Sequence, residues 1–174
     1  DILGYLDDKK SLWGKIVHNT IVLGGTDLIE TFDDDVHFIS GIGSQENFKN
    51  KPEIINKWGK ETNKFVTLIH PSAVISSASK IGKGAILYPN VTIGPNVIIG
   101  NFVQILPNTV ISHHSIIDNY SIINGSCLLA GWVHVHENCY IGASTSIRQK
   151  VNIGSKTLIG MGSLVLNDIL KMSK

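Results

Sequence analysis

TIGPNV IIGNFV QILPNT VISHHS, residues 92–115, sets four six-residue units end to end, with Ile93, Ile99, Ile105 and Ile111 at the second place of each. Working outward, the frame holds for seventeen units from Leu68 to Ile169 without a gap, and the second place is aliphatic in every one. The sixth place is mostly small: Ala73, Ser79, Ala85, Thr109, Ser115, Ser121, Cys127, Cys139, Thr145, Thr157 and Ser163, with valine at most others. A period of six is too short for a helical solenoid and too long for a simple alternating strand; it marks a parallel β-helix. Large and small residues at places two and six point inward and fill a narrow core. Three sides make an 18-residue coil, so residues 68–169 give about 5.7 coils, a prism roughly 27 Å tall at the ~4.8 Å strand spacing.

The corners have their own chemistry. Pro71, Pro89, Pro95 and Pro107 fall at the fourth place, and Asn90, Asn96 and Asn108 follow three of them. Proline presets φ for the first central residue of a turn, and asparagine tolerates the positive φ that a type II turn wants next. The first place points outward and reads Ile98, Gln104, Val110, Ile116, Ile122, Leu128 through the middle of the prism. Such a belt predicts a covered surface, most simply by a second copy of the chain.

Residues 1–67 read differently. Ile2–Leu6, Val36–Ser40 and Phe65–Ile69 suggest strands, with helices over Asp27–Phe32 and Gln45–Trp58. That alternation predicts a small α/β domain of βαβ units, Rossmann-like and lacking its first βα unit. The domain expectation is therefore 1–67, then the β-helix over 68–169, then a tail at 170–174. Formal charge is +1 with 17% charged residues, which gives no electrostatic case for nucleic acid or a membrane surface. Apolar runs fall short of the ~20 residues of a membrane span, and no signal peptide is visible. The two cysteines, Cys127 and Cys139, sit at core places without a zinc-like pattern and fit a reducing, cytoplasmic setting.

Several stretches carry a resemblance: Gly4-Tyr5-Leu6-Asp7-Asp8, Gly41-Ile42-Gly43, Leu68-Ile69-His70-Pro71-Ser72-Ala73, Val110-Ile111-Ser112-His113-His114-Ser115, Leu129-Ala130-Gly131 and Ile159-Gly160-Met161-Gly162-Ser163. The chain resembles the left-handed β-helix hexapeptide-repeat acyltransferases, and within them the PglD- and NeuD-type sugar acetyltransferases. The left-handed course is what the resemblance implies, against the general right-handed preference of crossovers. It further implies a homotrimer with acetyl-CoA in the groove between two subunits, a nucleotide-activated amino sugar as acceptor, and no metal. On this basis His113 is the general base, with His114 standing where the family carries Asp or Glu. The Gly131 N–H would hold the thioester oxygen, Ala143 and Gly160, Met161 and Gly162 would line the pantetheine channel, and Asp7, Asp8, Gly43, Ser44 and Gln45 fall in the sugar-nucleotide region.

From its place alone, a turn histidine like His113 is as ordinary in solvent as in catalysis; the resemblance is what assigns it. Asp118 and Glu137 are further candidates to orient it. His70 fits a cap on the first coil. His134 and His136, at places one and three of one unit, could pair on a metal, or join His113 in a zinc site of carbonic anhydrase type. A sugar O-acetyltransferase and a non-catalytic trimerisation module are the rival functions.

Overall fold

The computed structural model describes residues 1–170, the side chain of Lys60 excepted; of the tail expected over 170–174, all but Leu170 lies outside the described residues. From Leu68 to Val165 the chain winds as a three-sided prism of two-residue parallel strands, stacked into six-, six- and five-stranded sheets. The first face holds Leu68–Ile69, Ile86–Leu87, Gln104–Ile105, Ile122–Ile123, Tyr140–Ile141 and Leu158–Ile159. The second runs from Val74–Ile75 to Leu164–Val165, and the third from Lys80–Ile81 to Asn152–Ile153. Each strand pairs with the one a coil later, as Val110 with Leu128 and Ile116 with His134. This is the parallel β-helix of the repeat, consistent with the left-handed form.

The turns explain why the period is strict. Every fifth place from Gly84 to Gly162 has φ between 55 and 70°. That conformation aims its N–H at the carbonyl of the fourth-place residue one coil earlier, as Asn108 to Pro89 at 3.1 Å and Trp132 to His113 at 3.0 Å. Asparagine and glycine adopt it readily, whereas a bulky residue is strained by roughly 1–2 kcal/mol. Inside, the second-place aliphatics from Leu87 to Val165 are buried with the sixth-place residues in one continuous core. Small polar residues are tolerated there because each reaches a backbone carbonyl: Thr109 Oγ1 donates to Asn124 at 2.8 Å and Ser115 Oγ to Ala130 at 3.0 Å. Cys127 and Cys139 lie in the same column as buried thiols, each with Sγ 3.2 Å from a glycine carbonyl; burial pushes the Cys139 thiol up to about 11.

The N-terminal residues depart from the βαβ expectation. Strand β1 (Tyr5–Leu6) pairs in parallel with β3 (Thr20–Gly24), and β2 (Ile16–Val17) pairs antiparallel on its other side. The connection between the parallel strands is thus a 3-10 turn and a hairpin rather than a helix. His18 and Asn19, both at positive φ, make its two-residue bend. The strand expected over Val36–Ser40 reduces to a single bridge between Phe38 and Phe65. The helix expected over Gln45–Trp58 is a 3-10 turn at Phe48–Asn50 followed by α1 (Lys51–Asn56); Asp27–Phe32 is 3-10 over Thr26–Thr31.

This module packs on the prism through a second core of Ile29, Ile55, Trp58, Phe65 and Phe102. Trp58 stacks on Phe65 at 4.7 Å, Phe65 meets Phe102 edge-on at 5.6 Å, and Phe102 stacks on Tyr120 at 6.0 Å. Gln104 Nε2 donates to the carbonyls of Ser40 and Ile42 at 3.1 and 3.2 Å, clamping the module to the first face. The expected belt is corrected accordingly. Gln104 and Ile122 are buried at 6% and 2% exposure by the chain's own module, while Ile98, Val110 and Leu128 stay open at 45%, 36% and 48%. One segment covers part of the belt, and the apolar surface left over flanks a different edge.

Candidate active site on a prism edge

Three edges join the three faces, and each has a distinct fourth- and fifth-place column. Between the second and third faces, the fourth places read Ser77, Pro95, His113, Gly131 and Gln149, and the fifth read Asn96, His114, Trp132 and Lys150. Residues in one column are a coil apart and therefore stacked neighbours. Here the stacking builds a chain of polar contacts. His113 Nδ1 lies 3.1 Å from His114 Nδ1, and His114 Nε2 lies 3.2 Å from the Asn96 amide. Trp132 covers the His114 ring at 4.2 Å with the planes 13° apart. His114 is thereby held half-buried, while His113 stays exposed at the edge.

Gly131 makes room for the imidazole. A Cβ there would stand 2.5 Å from Cε1 and 2.7 Å from Nε2 of His113, closer than carbon contacts tolerate. Gly94, one coil earlier, makes room for the backbone that carries it, since a Cβ there would meet the His113 amide nitrogen at 2.9 Å. Among the described residues the Gly131 N–H has no acceptor. The arrangement offers an exposed imidazole, a half-buried partner that orients the ring, and an open amide one rung away. Those are the parts of a proton acceptor beside an oxyanion donor.

The other expected site residues are distributed over the molecule. Ala143 and Met161 lie on the edge between the first and second faces, below Pro89, Pro107 and Gly125, so one chain does not bring them to His113. That edge is bare, its fifth places being Asn90, Asn108, Ser126, Ser144 and Gly162, and Met161 is 79% exposed. Asp7 and Asp8 hold their own loop: Asp7 Oδ1 accepts from Lys9 N at 2.7 Å, and Asp8 Oδ1 accepts from the amide and hydroxyl of Thr26 at 2.8 and 2.9 Å. Gly43 packs on Ile122 and Gln104, with φ of 149° that suits glycine. Ser44 N donates to Asn47 Oδ1 at 2.7 Å, and the side chains of Ser44 and Gln45 are exposed. His70 Nδ1 meets Ser72 Oγ at 2.9 Å and closes the first turn, as a cap would.

Asp118 does not serve His113. It sits on the third face, where its Oδ2 is 2.9 Å from His134 Nε2 and 3.4 Å from His136 Nδ1. Glu137 meets Asn119 at 3.4 Å. What sequence reasoning missed is the column itself: Asn96, His114 and Trp132 are spaced by one coil, and the period alone would have placed them together.

The fold is shared with solved acetyltransferases. The acetyltransferase domain of PglB from Neisseria gonorrhoeae is 23% identical, with a TM-score of 0.84 over 95% of this chain and 79% of that one. A GDP-perosamine N-acetyltransferase from Caulobacter crescentus, solved with CoA and GDP-perosamine, is 24% identical, with a TM-score of 0.81 over 89% and 73%. WeeI from Acinetobacter baumannii is 22% identical, with a TM-score of 0.84 over 95% and 78%. No curated protein matches the chain by sequence. No helix among the described residues is long and apolar enough to cross a membrane. Residues 66–167, the whole prism with its lead-in, match the family model described as the GMPPB C-terminal domain, and the chain belongs to that family.

Proposed function

We propose that the protein transfers acetyl from acetyl-CoA to the amino group of a nucleotide-linked amino sugar, with His113 as general base. The observation that carries this reading is the His113–His114 pair resting on Gly131, an exposed histidine whose Nδ1 is engaged and whose Nε2, like the neighbouring Gly131 amide, has no hydrogen-bond partner among the described residues. Two of the three solved structures cited are acetyltransferases by description, and the perosamine enzyme was solved with CoA and GDP-perosamine. A bare second edge of small residues suits a narrow ligand. Since Ala143 and Met161 lie on that edge, the slot forms between the His113 edge of one copy and the small-residue edge of the next, in a homotrimer. The open apolar side chains Val74, Val110 and Leu128 of the second face lie between those two edges and support contact between copies. Ser44 and Gln45 are the exposed polar side chains of the module available to the sugar nucleotide.

His113 Nε2 takes the proton that the attacking nitrogen loses as the C–N bond forms and the C–S bond breaks, then returns it to the departing thiolate. For that, Nδ1 of His113 donates to Nδ1 of His114, and His114 Nε2–H donates to an Asn96 amide turned so that its oxygen faces the ring in place of the Nδ2 that lies 3.2 Å from it in the structure. The opposite polarity, with the Asn96 NH₂ donating, leaves Nε2 of His113 protonated. The relay is neutral and works in either sense, whereas a carboxylate fixes one. The Gly131 N–H faces the charge that develops on the thioester oxygen.

Thiol release from acetyl-CoA, measured with UDP-, GDP- and dTDP-linked amino sugars, tests the reading. Turnover with one of them, reduced ~10²–10⁴-fold by His113→Ala, is the expected result. Full activity in that variant removes His113 as the base; turnover only with hydroxyl acceptors makes the enzyme an O-acetyltransferase; no turnover with any acceptor, in a stable trimer, leaves an assembly module.

A further inference from the structure

The geometry points to a divalent transition-metal site on the third face, formed by Asp118, His134 and His136, and independent of acetyl transfer. The three donor atoms, Asp118 Oδ2, His134 Nε2 and His136 Nδ1, all lie within 4.8 Å of one another. Two of the separations are 2.9 and 3.4 Å. A tetrahedral ion bound at ~2.0–2.1 Å to nitrogen and oxygen holds its ligands about 3.3 Å apart. The 3.4 Å separation matches metal-ligand spacing, and the 2.9 Å one needs to open by only about 0.4 Å.

The backbone makes that spacing rigid. Ile116 pairs with His134 and Ile117 with Val135, so Asp118 sits one rung from His136. Asp118 N donates to Val135 at 2.8 Å and His136 N to Ile153 at 2.9 Å, fixing both third-place residues in their coils. His134 reaches the same spot from the first place, because places one and three face outward on the same side of a strand. The imidazole rings are 3.9 Å apart. A hydrogen-bonded trio explains only half of this: the His134 contact is a good bond at 2.9 Å, but 3.4 Å from His136 is long for one. One carboxylate oxygen facing two imidazole nitrogens is what a shared cation requires.

Donor type selects the ion. Two imidazoles and one carboxylate suit zinc and its first-row neighbours, and disfavour magnesium and calcium, which want oxygen. The three side chains are 29–40% exposed, so a fourth position is open to water or an incoming ligand. His113 takes no part, its ring being held by His114.

Protein stripped with chelator is titrated with zinc chloride by calorimetry, and with cobalt(II) by visible absorption. One ion per chain, and the intense d–d bands of a four-coordinate cobalt site, are expected. His134→Ala or His136→Ala should weaken binding by at least roughly 100-fold, and Asp118→Asn, nearly isosteric, by at least roughly 10-fold. His113→Ala should keep the full stoichiometry. Absence of uptake by the folded wild-type protein overturns the assignment, as does uptake that survives all three ligand substitutions or is abolished by His113→Ala.

Discussion

Gly131→Ala isolates the candidate base from the fold that carries it. The added Cβ would lie 2.5, 2.7 and 3.1 Å from Cε1, Nε2 and Nδ1 of His113. Carbon contacts settle near 3.5–4.0 Å, so the ring must retreat by about 1 Å. That retreat stretches or breaks the 3.1 Å contact to His114 Nδ1 that orients it. The backbone itself accepts alanine, because the left-handed turn residue is the next one, Trp132, with φ of 65°. His113 is exposed and its ring can give way into solvent once the contact to His114 is lost, so the fold changes little, within about 0.5 kcal/mol. Misplacing a catalytic group by about 1 Å lowers the rate on the order of 10²-fold, equivalent to about 2.7 kcal/mol of barrier. Steady-state thiol release should therefore show kcat reduced, with KM and the melting temperature close to those of the parent. In a His113→Ala background the same substitution should add nothing, since its effect runs through a ring already gone. A kcat within twofold of the parent, or an equal loss in the His113→Ala background, would refute the reasoning.

Two further outcomes follow from buried and half-buried groups. His114→Ala should lower kcat by roughly 10–100-fold, and His114→Glu, which supplies a fixed acceptor for His113 Nδ1–H, should recover most of it; equal losses in both would mean that His114 does not orient the base. Lys51 is fully buried, its Nζ has no hydrogen-bond partner among the described residues, and burial lowers it from 10.5 to about 7. Between those values the unfolded chain holds the proton and the folded one does not, so stability rises with pH across the window and the penalty is fullest below it. Lys51→Met should stabilise against urea by about 4 kcal/mol at pH 7 and by less than about 1 kcal/mol at pH 10. A gap that does not change with pH would show that Lys51 keeps its proton in the folded protein.

The prism was legible because each of its rules is local and repeated. Ile93, Ile99 and Ile105 announce the core, and Pro89-Asn90 and Pro107-Asn108 announce the turns, each within six residues. His113 was assigned by the family resemblance, and its fourth place in the repeat predicted the corner position that it takes. The module was less legible because its order depends on the prism. Phe102 and Tyr120, which anchor it, lie inside the repeat and read as turn residues, and Gln104 read as a belt position although it clamps Ser40 and Ile42. The hairpin over residues 16–24 turns on His18-Asn19, which lacks the glycine that marks such a bend. The Asp118 cluster was half seen: His134 and His136 were noticed as a pair, but Asp118, 18 residues before His136, was read toward His113. Coil arithmetic, applied to side chains as well as to the core, would have joined them.

The fifth-place column separates the three edges by physical strain. On the edge with Ala143 and Met161, Asn90, Asn108, Ser126, Ser144 and Gly162 take the left-handed turn with small side chains. The other two edges force large ones into the same conformation: Phe102 at 55° and Tyr120 at 65°, His114 at 61° and Trp132 at 65°. A bulky residue in this region is disfavoured and persists only where its surroundings hold it. The N–H bond to the coil below supplies a common part of that support at every edge, so it cannot account for the choice of side chain. The difference lies outside the backbone. Phe102 and Tyr120 gain the aromatic core of the module, whereas the gain from His114 and Trp132 is an ordered imidazole for His113, with Trp132 itself 53% exposed. An exposed tryptophan stacked on a strained histidine contributes little to a core; its effect falls on the position of the neighbouring ring. A strained pair that lies outside any core thus supports the proposal that this edge is the site of acetyl transfer.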